Sequence, residues 1–375
     1  MTRLLYLADG TSVHTKRWIK ALTDKGCIIH LFSLNGIDPS GYDIPENKFS
    51  FTAFNVGKRR TKFGGLNKFT YLTAVPMAKK IIRDFRPDIV HAHFASSYGL
   101  LGALTKFHPF VISVWGYDVF SFPGQSFIHR HILKNNLKKA DAVLSTSEVM
   151  ARETQKYTNK KISVTPFGVD MNTFQPGAPL QKERFPFREQ DIIIGTVKPL
   201  ESKYAIDHLF QAFALVKRKH PELPLKCCIV GEGSQENSLK KFSRELKIDD
   251  STYFTGQVPH NAIPGILNRF DIFAALSLEE SFGVVVIEAS ACEIPVVVSD
   301  EGGLPEVVED GQTGFVVPKG NVSAAARKIE DLVLDTKLRE KIGKAGRRRV
   351  LELYSWQSCV QRMQQIYKKL VPDVT

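Results

Sequence analysis

The chain has 375 residues, 43% hydrophobic and 24% charged, the balance of a globular protein of two or three domains and not of a disordered or fibrous one. No apolar run reaches the roughly 20 residues of a membrane span, and the opening MTRLLYLADG has too short an apolar stretch for a signal peptide. The net charge of +12 is lopsided: residues 1–180 hold 24 Lys and Arg against 12 Asp and Glu, whereas residues 181–375 hold 27 of each.

Taken in chain order, short β-rich runs alternate with helix-like segments, which predicts βαβ units and parallel sheets. In the first half, strands are expected over 4–7, 27–32, 88–91, 110–114 and 142–145. Helices are expected near 14–25, 70–85, 97–106 and 127–139. The stretch PFGVDMNTFQPGAPLQ (166–181) has three prolines, two glycines and no periodicity, and reads as a linker. Beyond it, strands are expected over 192–197, 226–230, 252–255, 272–275 and 296–299. Helices should cover 206–219, 234–246, 261–268, 283–292, 303–309, 322–333 and 336–352, and the closing segment 355–370 should be amphipathic and helical. The expected fold class is α/β, two doubly wound domains of similar size, the first over 1–170 and the second over 171–357. In such sheets ligands bind beyond the carboxyl ends of the strands, and with two domains the natural site is the cleft between them.

Five cysteines without a C-x-x-C pair fit a reducing, cytoplasmic location and give no metal signal. The basic excess is densest at Lys58, Arg59, Arg60 and Lys62, with Lys68, Lys79, Lys80, Arg83 and Arg86 following. Such a face suits an anionic membrane surface, where each basic residue contributes about 1 kcal/mol; the plainer reading is a solvated face. Tyr71, Leu72, Val75, Met77, Ile81 and Ile82 would make the nearby helix a shallow membrane insertion. Nucleic acid is not expected as a partner, because no interleaved aromatic and basic motif is present.

In the second half every expected strand is followed by residues suited to a ligand. After 192–197 come Lys198 and Lys203; after 226–230 comes Gly231-Glu232-Gly233; after 252–255 come Gly256, Gln257 and Val258. After 272–275 come Glu280, Phe282 and Gly283, where a helix starts whose free amides favour a phosphate. After 296–299 comes the turn Gly302-Gly303-Leu304-Pro305-Glu306. If Glu280 lies in the loop and Glu288 on the helix, two carboxylates can accept from two hydroxyl-rich rings on either side of a phosphate. That describes a nucleotide sugar.

On these residues, 190–355 resembles the nucleotide-binding half of the family 4 retaining glycosyltransferases, which have the two-domain GT-B fold. The paired-glutamate motif E-x7-E stands as Glu280 through Glu288, the Arg-Leu-x-x-x-Lys element as Lys198 through Lys203, and the Val-Gly-x-Gly loop as Val230–Gly233. The first half is similar to the acceptor domain through the loop 9–14, the strand DIVHAHF, and WGYD at 115–118. The resemblance implies that Lys198 and Lys203 neutralise the leaving diphosphate, Glu288 binds the ribose, and Glu280 binds the transferred sugar. The amides of Phe282, Gly283 and Val284 would lie near sugar and phosphate, with Val258, Gly231 and Gly233 beside the base. Gly10 would approach the phosphate from the first domain. His14, His93, Trp115 and Asp118 are placed at the acceptor cleft, and helix 358–375 is expected to pack back on the first domain.

The chain departs from the family pattern at three points: Lys198 stands for the usual Arg, Tyr204 for the Gly beside the second Lys, and Trp115 for the His of His-Gly-x-Asp. Bidentate phosphate contact is thereby lost at Lys198, and acid–base work cannot be assigned to a histidine at 115. The resemblance implies retention of configuration, with a UDP-sugar as the favoured donor and a lipid-linked saccharide as the favoured acceptor. No metal or cofactor is expected: the chain has no Asp-x-Asp pair, and His91 and His93 lack a third ligand nearby. A nucleotide-sugar epimerase of the same fold is the competing reading; it would need acids placed for proton abstraction. A dinucleotide dehydrogenase is excluded by the missing third glycine after Gly231-x-Gly233.

Overall fold

The computed structural model describes residues 1–38, 41–54, 71–179 and 186–372. The chain divides into two compact units, Met1–Phe167 with Cys359–Thr375, and Gly168–Ser358. The first runs β1 (Arg3–Leu7), α1 (Val13–Asp24), β2 (Ile28–Ser33), β3 (Phe49–Ala53), α2 (Val75–Phe85), β4 (Ile89–His93), α3 (Ser97–Thr105), β5 (Phe110–Val114), α4 (Tyr117–Phe120), α5 (Phe127–Lys139), β6 (Ala142–Ser145), α6 (Glu148–Gln155) and β7 (Ile162–Val164). Its seven strands form one parallel sheet in the order β3-β2-β1-β4-β5-β6-β7. The central strands β4 and β5 are buried along their whole length, as a parallel sheet covered on both faces requires.

The second unit contains β8 (Ile192–Val197), α7 (Ile206–Lys219), β9 (Leu225–Val230), α8 (Glu236–Glu245), β10 (Thr252–Gly256), α9 (Ile263–Leu267), β11 (Ile272–Ala275), α10 (Val284–Ala291), β12 (Val296–Ser299), α11 (Leu304–Val307), β13 (Phe315–Val317), α12 (Val322–Leu334) and α13 (Thr336–Leu353). Its parallel sheet has the order β10-β9-β8-β11-β12-β13. Reversal of strand order beside β8 puts the topological switch point at the carboxyl ends of β8 and β11, where Lys198 and the segment leading to Glu280 emerge. Both units are Rossmann-like, and the fold is GT-B.

The last helix, α14 (Trp356–Leu370), crosses the boundary between units. Within the first unit Tyr367 on this helix shares a hydrogen bond with the Tyr6 hydroxyl at 3.0 Å and with His91 Nδ1 at 2.7 Å.

Several elements differ from expectation. The strands β3, β7 and β13 and the helices α4 and α6 were not foreseen. The strands are edge strands of three to five residues, too short to show a period. The stretch read as a linker is partly built into the second unit: the Val169 amide donates to Tyr354 O at 2.8 Å, and Phe174 is buried. The supposed insertion helix α2 is mostly occupied elsewhere. Tyr71, Val75, Ile81 and Ile82 pack on the core, leaving Leu72 and Met77 exposed. The cluster Lys58–Lys62 and Lys68 lie outside the described residues. Among the described residues no helix is long and apolar enough to cross a membrane.

Candidate functional site

Where β8 ends, the Lys198 amide donates to Val230 O at 3.0 Å, continuing the pairing of β8 with β9. The Lys198 side chain is 7% exposed, and its ammonium donates to the carboxylate of Glu280, itself 13% exposed. A cation this enclosed is tolerated only beside a counter-charge, so two residues 82 positions apart hold one another at the switch point. The Tyr204 ring lies 4.9 Å from the Lys198 ammonium and 5.1 Å from that of Lys203, inside cation–π range of both. Burial pushes the Tyr204 phenol up, with the Lys198 charge opposing it.

Lys203 reaches solvent, but its backbone is fixed. In the turn Ser202–Tyr204 its carbonyl accepts from the amides of Leu278 at 2.8 Å and Glu279 at 3.2 Å. The two lysines and Glu280 therefore belong to one connected piece of backbone.

The glycine turn at 302–303 supports the same carboxylate. Gly302 has φ +56°, and a Cβ there would sit 1.6 Å from Glu280 O; one on Gly303 would lie 2.8 Å from Ser281 O. Only glycine lets this turn lie against the backbone of Glu280–Phe282. Next, Gly283 at φ +97° turns the chain into α10. The amides of Val284 and Val285 open the helix and form its positive end, while the Val286 amide donates to Gly283 O at 3.0 Å; Phe282 is buried and Val284 half-buried beside them. Glu288, on α10, is 3% exposed, and its Oε1 lies 3.3 Å from His260 Nε2.

His260 was not singled out from the sequence, although it follows β10 by four residues, in the same strand-end position as the others. Val258, half-buried, is in the same connection.

Gly231 and Gly233 are packed against protein on the side where a Cβ would stand. They were expected to let a ring approach. A Cβ on Gly231 would meet Lys198 O at 2.1 Å, and one on Gly233 would meet Leu200 O at 2.5 Å. The loop is glycine-rich because it packs against Lys198–Leu200, with the Leu200 amide donating to Glu232 O at 3.0 Å. Gly10, in the first unit, is similar. Its amide donates to Ser33 Oγ at 3.0 Å, its carbonyl accepts from Tyr42 at 3.1 Å, and a Cβ would touch Ile37 Cγ1 at 2.6 Å. Both backbone polar groups of Gly10 are thus engaged within the first unit.

In the first unit His14, His93 and Trp115 do come together. His93 and Trp115 have ring centroids 4.4 Å apart, and His14 and Trp115 6.0 Å; Phe167 stacks on His14 at 4.2 Å. His93 is buried, and its Nδ1 has no hydrogen-bond partner among the described residues. Burial holds its imidazole neutral, well below the usual histidine range, with His91 and His14 acting in the same sense. His91 has both ring nitrogens engaged, by Tyr367 and by Ser113 Oγ at 2.8 Å.

Asp118 does not join this cluster. It is fully enclosed, and its carboxylate accepts from the amides of Ala95 at 2.7 Å, Trp115 at 3.1 Å and Gly116 at 2.9 Å. Burial raises its carboxyl against these three amides. Asp118 shapes the loop that carries Trp115 and has no face for an acceptor.

Comparison with known proteins agrees with this geometry. The family model "Glycosyl transferases group 1" matches residues 178–349, and "Glycosyl transferase 4-like" matches residues 3–147. The N-acetyl-alpha-D-glucosaminyl L-malate synthase of Bacillus anthracis is 24% identical over 94% of this chain and 92% of its own. Among solved structures, the sucrose-phosphate synthase of Thermosynechococcus elongatus superposes with a TM-score of 0.82 at 21% identity, over 99% of this chain and all of its own. The Anabaena protein HepE, in complex with UDP and glucose, does so with a TM-score of 0.77 at 18% identity, over 99% and 100%. Two family models that between them span most of the chain, on a GT-B fold with its strand-end residues in place, make it a member of the family 4-like glycosyltransferases, enzymes that take their sugar from a nucleotide-sugar donor.

Proposed function

We propose that the chain is a retaining hexosyltransferase that uses a UDP-sugar and needs no metal ion, and that its acceptor is a lipid-linked saccharide at a membrane surface. The observation that carries this reading is the enclosed Lys198–Glu280 pair, with Lys203 beside it and the start of α10 adjoining. In this reading Lys198, Lys203 and the first-turn amides of α10 stabilise the departing diphosphate. Glu280 accepts from the hydroxyls of the transferred sugar, and Glu288, steadied by His260, accepts from the ribose. The bond from the anomeric carbon to the phosphate oxygen breaks as the acceptor oxygen bonds to the same face of that carbon. The acceptor proton passes to the departing phosphate. Neither glutamate serves as a covalent nucleophile, because both are committed to hydroxyls. The similarity to Anabaena HepE, solved in complex with UDP, favours that nucleotide. In the first unit His93 and Trp115 line the acceptor side.

An epimerase is not favoured, since the family models and relatives of the chain are named as glycosyltransferases.

The test is nucleotide release from UDP-, GDP- and ADP-sugars in EDTA, with Glu280→Ala and Lys203→Ala alongside and the anomeric configuration of the product read by NMR. Metal-independent release from UDP-sugars alone, lost in both variants and giving a retained product, is expected. Release that requires a divalent cation, an inverted product, or full activity in either variant overturns the corresponding part.

A further inference from the structure

The first turn of α5 has a surface that neither the sugar chemistry nor the core explains. Phe127 is 79% exposed and Ile128 64%, with Phe120 at the end of α4 42% exposed; among the described residues no other large apolar side chain is as open as Phe127. Single exposed apolar side chains are ordinary, but Phe127 and Ile128 are adjacent in one helical turn, with Phe120 seven residues before them. From Phe120 to Lys139 the chain contains no Asp or Glu, against Arg130, Lys134, Lys138 and Lys139. At 100° per residue Phe127, His131, Lys134 and Lys138 fall within an arc of about 60°. The Phe127 and His131 rings lie 6.3 Å apart, and Leu133, Asn136 and Leu137 turn inward. Lys138 and Lys139 also complement the carboxyl end of the helix dipole. That accounts for those two and for nothing at Phe127 and Ile128.

We infer that this face of α5 is a docking surface for an anionic phospholipid bilayer, with Phe127 and Ile128 entering the headgroup region and Lys134 and Lys138 facing the lipid phosphates. Its position matches the use. α5 connects the parallel strands β5 and β6, so its first turn lies at the carboxyl end of the sheet, the rim where β4 ends at His93 and β5 leads into Trp115. A bilayer held there places the apolar part of a lipid-linked acceptor on the same rim as the aromatic cluster. That purpose rests on the proposed acceptor; the docking itself does not. A bilayer is favoured over nucleic acid because Ile128 offers nothing to a phosphate backbone or a base stack, whereas an aromatic and lysines along one stripe of α5, with an aliphatic beside them in its first turn, suit an interface of lipid and water.

The experiment is flotation of the full chain with vesicles of phosphatidylcholine mixed with phosphatidylglycerol, and of phosphatidylcholine alone, without donor or acceptor. Wild type is compared with Phe127→Ser/Ile128→Ser, Lys134→Glu/Lys138→Glu, and Lys79→Glu/Lys80→Glu on α2. Melting curves check folding, and release of UDP from a UDP-sugar is read in parallel. The anionic vesicles should retain wild type and the α2 variant. The two α5 variants should each partition more weakly, by about tenfold or more for the apolar change and by about fivefold for each charge lost. Unchanged partitioning of folded α5 variants, or no binding of wild type to anionic vesicles, overturns the inference. So does wild-type binding to single-stranded RNA but not to vesicles. Vesicle binding without any nucleotide release leaves the docking surface standing and sinks the transfer reading instead.

Discussion

Lys198→Met is the substitution on which the site can be judged, because it separates two effects that Lys198 combines. Methionine keeps the length of the side chain and removes its charge, leaving the Glu280 carboxylate, 13% exposed, without the ammonium it holds. Breaking an enclosed ion pair from one side costs about 3–5 kcal/mol, much of it the penalty of the abandoned charge. For a unit the size of Gly168–Ser358 that corresponds to a loss of roughly 6–20 °C in melting temperature. The double variant Lys198→Met/Glu280→Gln removes both charges and should recover most of that loss, so the two substitutions couple strongly in a double-mutant cycle. Turnover must behave differently. If Lys198 meets the leaving diphosphate, the single variant loses about 10²–10³ in kcat, and the double variant regains none of it. Calorimetry and nucleotide release on the four proteins decide the matter. A single variant within about 1 kcal/mol of wild type, or additive effects, would show that the pair does not hold in solution. A double variant with restored turnover would remove Lys198 from the chemistry.

Gly302→Ala should cost more than about 3 kcal/mol and depress turnover with it, because a Cβ at φ +56° would lie on the Glu280 carbonyl; Gly320→Ala, at φ +75° with nothing within 4 Å, should cost only about 1 kcal/mol. Equal melting temperatures for these two variants would refute the packing argument. Burial lowers His91 to about 3 and holds His93 well below the usual value, so below about 6.5 the unfolded chain binds protons that the folded chain does not. Stability should therefore fall with falling pH, by about 1.4 kcal/mol per unit for each histidine. Urea midpoints between about pH 7 and pH 5.5, above the range of ordinary carboxylates, test this, and a flat profile contradicts it. Trp115→Ala should raise the acceptor KM about tenfold with donor hydrolysis unchanged, the scale of one aromatic contact; a changed donor KM would place Trp115 elsewhere.

The alternation of strands and helices was legible because parallel strands buried on both faces read as runs such as IIIGTV and VVVS, and the intervening helices are long enough to show their period. What failed was short or local. β7 and β13 have three residues each, and α6 is announced only by Ser147, whose side chain accepts from the Met150 amide. The site residues of the second unit were legible as a set, since each follows a strand. Their partners were not. No spacing rule pairs Lys198 with Glu280 across 82 positions or brings His260 to Glu288, because those contacts are set by the order β9-β8-β11 and not by neighbours in the chain. The glycines have a protein neighbour that the sequence does not show. A sequence shows that a position must lack a Cβ, but whether ligand or protein backbone fills the space depends on tertiary packing. At Gly10, Gly231, Gly233 and Gly302 it is protein, so these motifs act by fixing the carbonyls and side chains around the site.

The self-neutralised pair also determines how donor and product should compete. A UDP-sugar can answer both partners at once, a phosphate oxygen for Lys198 and sugar hydroxyls for Glu280. UDP answers only Lys198 and leaves Glu280 facing an added negative charge. Glu280→Gln should therefore act with opposite sign on the two. It relieves repulsion for UDP and frees the ammonium, but it takes from the UDP-sugar a charged hydrogen bond worth about 1.5–3 kcal/mol. The ratio of UDP to UDP-sugar affinity should rise at least about tenfold. Titration calorimetry with UDP and a non-hydrolysable UDP-sugar analogue measures that ratio directly. Equal changes for both ligands would mean that Glu280 does not face the sugar, and the transferred sugar would then have to be held by other groups around α10.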